Sequence, residues 1–195
     1  MTHQTFVAHL VPRSSGSMGV RGIEWQENVM NELVIYESMW GNTRAVAEAV
    51  ARGLGPDVTV ADVGRAPATL PADVDLLVIG GPTHAFSMSR EATREDAATK
   101  GAEPGHESIG IREWLEGQAP SDHVEVATFD TRVAKVRKLP GSAAKAAGKS
   151  VRKHHLGHLV ATESFYVDDM EGPLLDHELE RAEAWGAELG ARRGM

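Results

Sequence analysis

The sequence predicts an α/β fold: a doubly wound, five-stranded parallel sheet with order 2-1-3-4-5 and helices on both faces. Three observations predict it. Five apolar or alternating runs, at 33–37, 57–63, 74–80, 124–129 and 159–167, are separated by longer segments, most with helical spacing. The third run, Val74 to Gly80, is nearly all apolar, as a central strand covered on both faces requires. Strands alternating with helices imply right-handed βαβ units and hence a parallel sheet. A ligand of such a sheet belongs beyond the carboxyl ends of strands one, three and four, at the switch point.

The elements follow in order. Residues 1–29 hold Pro12 and a Ser/Gly run with no sustained period, so they read as a disordered arm. Their string LVPRSSGS looks like an altered protease-site linker, which makes a non-native or upstream extension the other reading. Residues 30–195 then form a single domain. Leu33 to Glu37 has the composition of a buried strand, and Ser38 to Asn42 is a small, polar turn. From Thr43, Val46, Ala47, Val50 and Leu54 repeat at steps of three and four. Asn42 or Thr43 caps that helix, and Gly53 or Gly55 stops it.

Asp57 to Val63 alternates as a less buried second strand, and the proline-marked connection to residue 71 leaves little room for a helix. The third strand ends at Gly80-Gly81-Pro82-Thr83. Residues 87–108 are polar, with Ser89 capping a short exposed helix over 90–99, and a further helix runs from Ile109 to Leu115. The fourth strand is Val124 to Phe129. An alanine-rich helix covers 142–152, and the fifth strand is Leu159 to Val167. Asp176 caps a last helix whose acids come early and arginines late, in agreement with the helix dipole. Leu175, Leu179, Ala182 and Leu189 form its buried stripe. Trp114 and Trp185 sit at helical spacing with apolar neighbours and read as packing.

Composition excludes several classes. The chain of 195 residues has no cysteine, which removes disulfides, iron–sulfur clusters, thiolate zinc sites and cysteine phosphatases. It also fits a reducing compartment, and the expected location is cytoplasmic. No apolar run approaches a membrane span. A net charge of −8 argues against nucleic acid and anionic membranes and suits docking onto basic protein patches. Gly148-Lys149-Ser150 ends a loose nucleotide-loop pattern, but its alanine stretch belongs in a helix. His154, His155 and His158 are close together, yet Gly157 interrupts them and no carboxylate stands at ligand spacing, so no metal is expected. A receiver domain needs acids after strand one and an Asp ending strand three, where this chain has Ser38 and Gly81. The Gly-x-Gly-x-x-Gly dinucleotide fingerprint is absent as well.

The strand–turn–helix at 33–50 makes an anion site. Backbone N–H groups and the positive helix end converge on the turn, and Ser38, Asn42 and Thr43 add neutral donors. Arg44 is the only nearby cation. This stretch, Ser38-Met39-Trp40-Gly41-Asn42-Thr43, resembles the first loop of the flavodoxin family, Ser/Thr-x-x-Gly-Asn-Thr, which wraps the phosphate of FMN. A second loop, Pro82-Thr83-His84-Ala85-Phe86, resembles the family's Pro-Thr-Trp-Gly, with His84 in the tryptophan position and Ala85 in the glycine position. Phe86 is the candidate for the flat surface against the ring. The third loop, here Phe129-Asp130-Thr131-Arg132, lacks the family's frequent stacking tyrosine.

The resemblance, over residues 32 to about 192, implies an FMN-binding electron-transfer protein with a redox protein as partner. Its implied cofactor contacts are the first-loop residues 38–43, the second-loop residues 82–86, and Asp130, Thr131 and Arg132. It implies no catalytic residue. The family stabilises the one-electron-reduced ring through a peptide flip at the glycine; alanine tolerates positive φ less readily. His84 puts a titratable group near the ring and would make its potential pH-dependent near neutrality; the other reading is a hydrogen bond across its own loop. Two rival functions share the fold: an FMN-dependent NAD(P)H:quinone-type oxidoreductase, with 87–108 as substrate lid or dimer contact, and a flavin-free binding module.

Overall fold

Leu33, Val34 and Ile35 in β1 (Asn31–Tyr36) are all buried, with successive side chains pointing to opposite faces of one sheet. The computed structural model describes residues 31–103 and 109–192. The arm at 1–29 lies outside the described residues. After β1 come α1 (Asn42–Leu54), β2 (Thr59–Asp62), β3 (Val74–Pro82), α2 (Glu91–Thr99) and α3 (Ile111–Glu116). They are followed by β4 (Ser121–Val133), α4 (Ala143–Lys153), β5 (Leu156–Val167) and α5 (Glu178–Ala191). All strand pairs are parallel and the order is β2-β1-β3-β4-β5, as the sequence predicts.

The pleat sorts the core into two layers. Leu33 and Ile35 of β1 share one face with Leu77 and Ile79 of β3, packed under Ile111, Trp114 and Leu115 of α3 and Ala143, Ala147 and Val151 of α4. Val34, Leu76 and Val78 share the other face with Val46 and Val50 of α1 and Ala182, Trp185 and Leu189 of α5. Phe129, Phe165 and Trp185 meet there edge to face, with centroids 6.0–6.3 Å apart. The helix Ala143–Lys153 confirms that Gly148-Lys149-Ser150 is not a nucleotide loop; Gly148 is buried against Leu159.

Several boundaries differ from expectation, each for a tertiary reason. Gly55, at φ 147°, ends α1, whereas Gly53 lies inside it. A Cβ on Gly53 would strike the Glu183 carbonyl of α5, and one on Gly186 the Val50 carbonyl of α1, so both glycines serve close helix contact. β3 runs on through Gly80, Gly81 and Pro82 because β4 pairs with it to Thr131. β4 itself extends to Val133, which puts Asp130, Thr131 and Arg132 inside a strand rather than in a loop. At α5 the residue before the helix is His177, in a left-handed conformation, and Asp176 is not the cap. Buried Glu178 instead accepts from the Tyr166 N–H. Leu175 and Leu179 are exposed, and the buried stripe of α5 is Ala182, Trp185, Gly186 and Leu189. No described helix is long and apolar enough to cross a membrane.

Candidate functional site

β1 hands its chain to α1 through Glu37–Gly41 at the carboxyl end of the sheet. The Glu37 N–H still donates to the Gly80 carbonyl at 2.9 Å, and then the chain leaves the ladder. Gly41 takes φ 78°, a left-handed conformation suited to glycine, and its carbonyl accepts the first helical bond from Ala45 at 3.0 Å. Neither expected cap residue caps α1. Thr43 Oγ1 shares a 2.7 Å hydrogen bond with Thr131 Oγ1, and Asn42 Nδ2 donates to the Glu171 carbonyl at 2.9 Å. The backbone N–H groups of Ser38 to Gly41 donate to no described residue. Ser38 Oγ is buried and has no hydrogen-bond partner among the described residues.

The second loop stands beside this turn. Thr83 N–H donates to the Thr131 carbonyl at 2.9 Å, and Thr83 Oγ1 accepts from the Ala143 N–H at the start of α4, also at 2.9 Å. His84 and Ser87 exchange two backbone bonds, 2.9 and 3.0 Å, around Ala85 and Phe86 at φ 46° and 65°. Two successive left-handed residues inside such a pair are the shape of a type I′ turn. Ala85 therefore holds the positive φ that alanine disfavours. His84 and Ala85 line the cleft, whereas Phe86 is 46% exposed and lines a different groove. Burial holds the His84 imidazole below its ordinary pKa; Asp96 opposes this and Arg94 adds to it.

From β4, Thr131 and Arg132 line the cleft with Val133. Asp130 does not. Its Oδ2 accepts from the Ala144 N–H at 2.8 Å, so its carboxylate sits at the amino end of α4. Burial raises the Asp130 pKa, against hydrogen bonds from Ser142, Ala144 and Ser164 and the nearby charge of Arg132. The Arg132 guanidinium is buried and donates to the carbonyls of Val136 (2.9 Å) and Leu139 (3.3 Å). The guanidinium thereby braces the connection that follows β4.

Of the residues expected at the site, the cleft is lined by Met39, Trp40, Asn42, Thr43, Pro82, Thr83, His84, Ala85, Thr131 and Arg132. Ser38 and Gly41 build the turn behind it. The sequence offers 87–108 only as a substrate lid or dimer contact of the reductase reading. In the structure Thr93, Asp96 and Ala97 of α2 and Lys100 just after it line the cleft, as do Val167 and Met170, which the sequence does not point to. Ser89, expected as the cap of α2, is buried and bound by Arg94 Nη1 at 3.0 Å; Thr93 Oγ1 accepts from the Arg90 N–H in its stead. The available signal was faint: Thr93 and Ala97 are one helical step apart in a segment otherwise rich in charge. The end of that segment is fastened to the turn, because the Glu103 N–H donates to the Met39 carbonyl at 2.8 Å and Arg44 pairs with Glu103 at 3.2 Å. Lys100 Nζ pairs with Asp96 at 2.6 Å.

Behind the turn, Glu37 is fully buried and accepts from the Ile111 N–H at 3.0 Å. Burial raises its pKa, while Ser89, the Ile111 N–H and Arg94 pull it down and Glu113 pushes it up. Arg94, also buried, pairs with Glu113 at 3.2 Å. This network joins β1, α2 and α3 under the cleft. Chemically, the turn offers neutral donors to an anion, and the flanking lining offers an apolar wall of Trp40, Val133, Val167 and Met170.

A family profile described as Flavodoxin matches residues 34–150. No curated protein matches the chain. Among solved structures, a flavodoxin from the domain Archaea is similar at 17% identity and TM-score 0.55, covering 85% of this chain and 100% of its own. A flavodoxin of Streptococcus pneumonia TIGR4 is similar at 19% identity and TM-score 0.54, with 83% and 98% covered. Oxidised flavodoxin 1 from Bacillus cereus follows the same pattern, at 15% identity, TM-score 0.55, and 81% and 95% covered. At these identities the likeness in structure is one of fold.

Proposed function

The chain belongs to the flavodoxin family, and from that premise we infer that it binds FMN in this cleft and carries electrons between redox proteins. The observation that carries the reading is the turn at 38–43. Its Ser38 hydroxyl is buried without a partner among the described residues, and its N–H groups from Ser38 to Gly41 donate to none of those residues either. Buried donors are costly unless something accepts from them. A phosphate at the positive end of α1 satisfies them, with no cation required.

The residues present fit the rest of the group as well. Trp40, Val133, Val167 and Met170 would hold the ring on its apolar sides, and His84, Ala85 and the 131–132 backbone would border it. FMN, once bound, supplies reversible one- and two-electron chemistry. The chain orients it, excludes water from its phosphate, and sets the local charge. With its pKa lowered by burial, His84 stays neutral at physiological pH and adds no charge to the cleft. An electron carrier needs no acid, base or nucleophile, and none is assigned.

A second reading, a stand-alone NAD(P)H-dependent reductase, draws support from the segment at α2, which lines the cleft with Thr93, Ala97 and, just past the helix, Lys100. NAD(P)H consumption by the flavin-loaded protein without an added reductase favours it; its absence favours the carrier. The FMN reading itself is tested by flavin fluorescence. Quenching of FMN, with riboflavin bound far more weakly, is the expected result, because the phosphate turn contributes only to FMN. Equal binding of the two removes the turn from the account.

A further inference from the structure

Phe86 belongs to the same two-residue turn as Ala85 but lines another groove. That groove is formed with Arg112 of α3 and Lys145, Lys149, Lys153 and His154 at α4, and Glu116 is its one carboxylate. The three lysines are exposed and stand at successive four-residue steps, a stripe of about 12 Å along the helix. No described carboxylate pairs with them. Arg112 spends its donors on neutral atoms: the carbonyls of Ser89 (3.0 Å) and Met88 (2.9 Å) and Ser87 Oγ (3.3 Å). Among the described residues no carboxylate forms an ion pair with it. Like charges at four-residue spacing destabilise an isolated helix, and of the three only Lys153, in the last turn, gains from the helix dipole.

The neighbouring connection meets this groove at Gly141, two residues after Leu139. Arg132 folds it through Val136 and Leu139, leaving Arg137 and Lys138 exposed and Leu139 46% exposed. Gly141 lies so close to Phe86 that an added Cβ would approach the Phe86 carbonyl oxygen to 2.7 Å. The result is two exposed apolar side chains among cations, on a chain whose net charge is −8. Apolar anchors within a charged rim are the anatomy of a protein interface. A small anion needs donors that converge, whereas a stripe of this length presents them along a line.

We propose that this basic groove, with Phe86 and Leu139 as apolar anchors, docks the acidic face of a redox protein. The partner then sits one hairpin turn from the cleft, since His84 and Ala85 wall the cleft and Phe86 the groove. The net charge favours basic partners for the molecule as a whole; this face reverses the preference locally. The inference rests on the electron-carrier reading only for the nature of the partner.

The test is an NMR titration of isotope-labelled protein with an acidic plant-type ferredoxin at low salt, with and without FMN. Amide shifts are expected at Phe86, Leu139, Lys145 and Lys149. The triple variant Lys145→Glu, Lys149→Glu, Lys153→Glu is expected to weaken binding by about tenfold or more, and the corresponding glutamine variant by less. All three lysines are exposed, so both variants should stay folded, and the glutamine variant, relieved of their repulsion, should melt no lower than the wild type. Affinity unchanged by charge reversal, or shifts mapping to another face, overturns the proposal. So does basic cytochrome c binding the same residues, or NADPH shifting them while ferredoxin does not. Ferredoxin binding does not require flavin, so loss of FMN binding alone counts against the functional reading and not against this surface.

Discussion

Thr43 Oγ1 and Thr131 Oγ1 share a buried hydrogen bond of 2.7 Å that ties the start of α1 to the end of β4. The two residues are 88 positions apart, and they join the turn after β1 to the strand that borders the cleft. Replacing either by valine removes one hydroxyl and leaves the other without this partner, a loss of about 1–2 kcal/mol. Each variant is expected to bind FMN roughly tenfold more weakly. The double variant should lose less than the sum, because the residues act as a pair. Fluorescence titrations of the four proteins measure the coupling; strict additivity would show that each hydroxyl works alone.

Ala85 occupies φ 46° inside a tight turn. Left-handed backbone costs a residue with a Cβ about 1–2 kcal/mol, and the greater freedom of glycine in the unfolded chain returns up to about 1 kcal/mol. Ala85→Gly is thus expected to stabilise the protein by roughly 0.5–1 kcal/mol. Urea unfolding measures it. A destabilised variant would mean that the Ala85 methyl makes packing contacts worth more than the strain.

Two buried carboxylates set the pH dependence. Glu37 and Asp130 both have pKa values raised by burial, so the native state holds their protons to higher pH than the unfolded chain does. Between the ordinary carboxylate range and the raised values, the folded protein binds more protons, and stability falls as pH rises through that window. Below it the contribution is fully present. Glu37→Gln and Asp130→Asn are each expected to flatten the fall, which chemical denaturation across acid to neutral pH will read. An unchanged slope in both variants would assign the effect elsewhere.

On the FMN reading His84 bears on the flavin, and its lowered pKa also takes stability from the fold as pH falls through the histidine range. Its pKa is lowered, so protonation begins below the ordinary histidine range rather than near neutrality, where the sequence places it. A new cation beside the cleft favours the electron-rich ring. The flavin potential of the wild type should therefore rise more steeply with acidity than that of His84→Ala, and the two should run parallel above neutrality. Spectroelectrochemical titration over both ranges tests this. Divergence at neutral pH would place the imidazole in a wetter site.

What the sequence makes legible is what is local or periodic. Val74 to Gly80 and the alternation in β1 carry enough pattern to set the number and order of strands, and the first loop is a contiguous motif on a strand–turn–helix. What stays hidden depends on partners far along the chain. Gly53 looks like a helix stop until Glu183 of α5 is seen against it. Gly81 and Pro82 look like a strand end until Asp130 and Thr131 are seen paired to them. Asp130 looks like a cofactor contact, yet the amino end of α4 takes its carboxylate. The part of α2 in the cleft is hidden for a similar reason: Arg94 is one charge among many in sequence, and it becomes an anchor only beside Ser89 and Glu113.

The most direct measurement is the visible spectrum of the purified protein after incubation with FMN and desalting. The account predicts flavin bands that stay with the protein, and their loss on replacing Ser38 and Thr43 together. Colourless wild-type protein that also leaves FMN fluorescence unquenched would contradict it, and would make this chain a flavodoxin fold that binds something other than flavin.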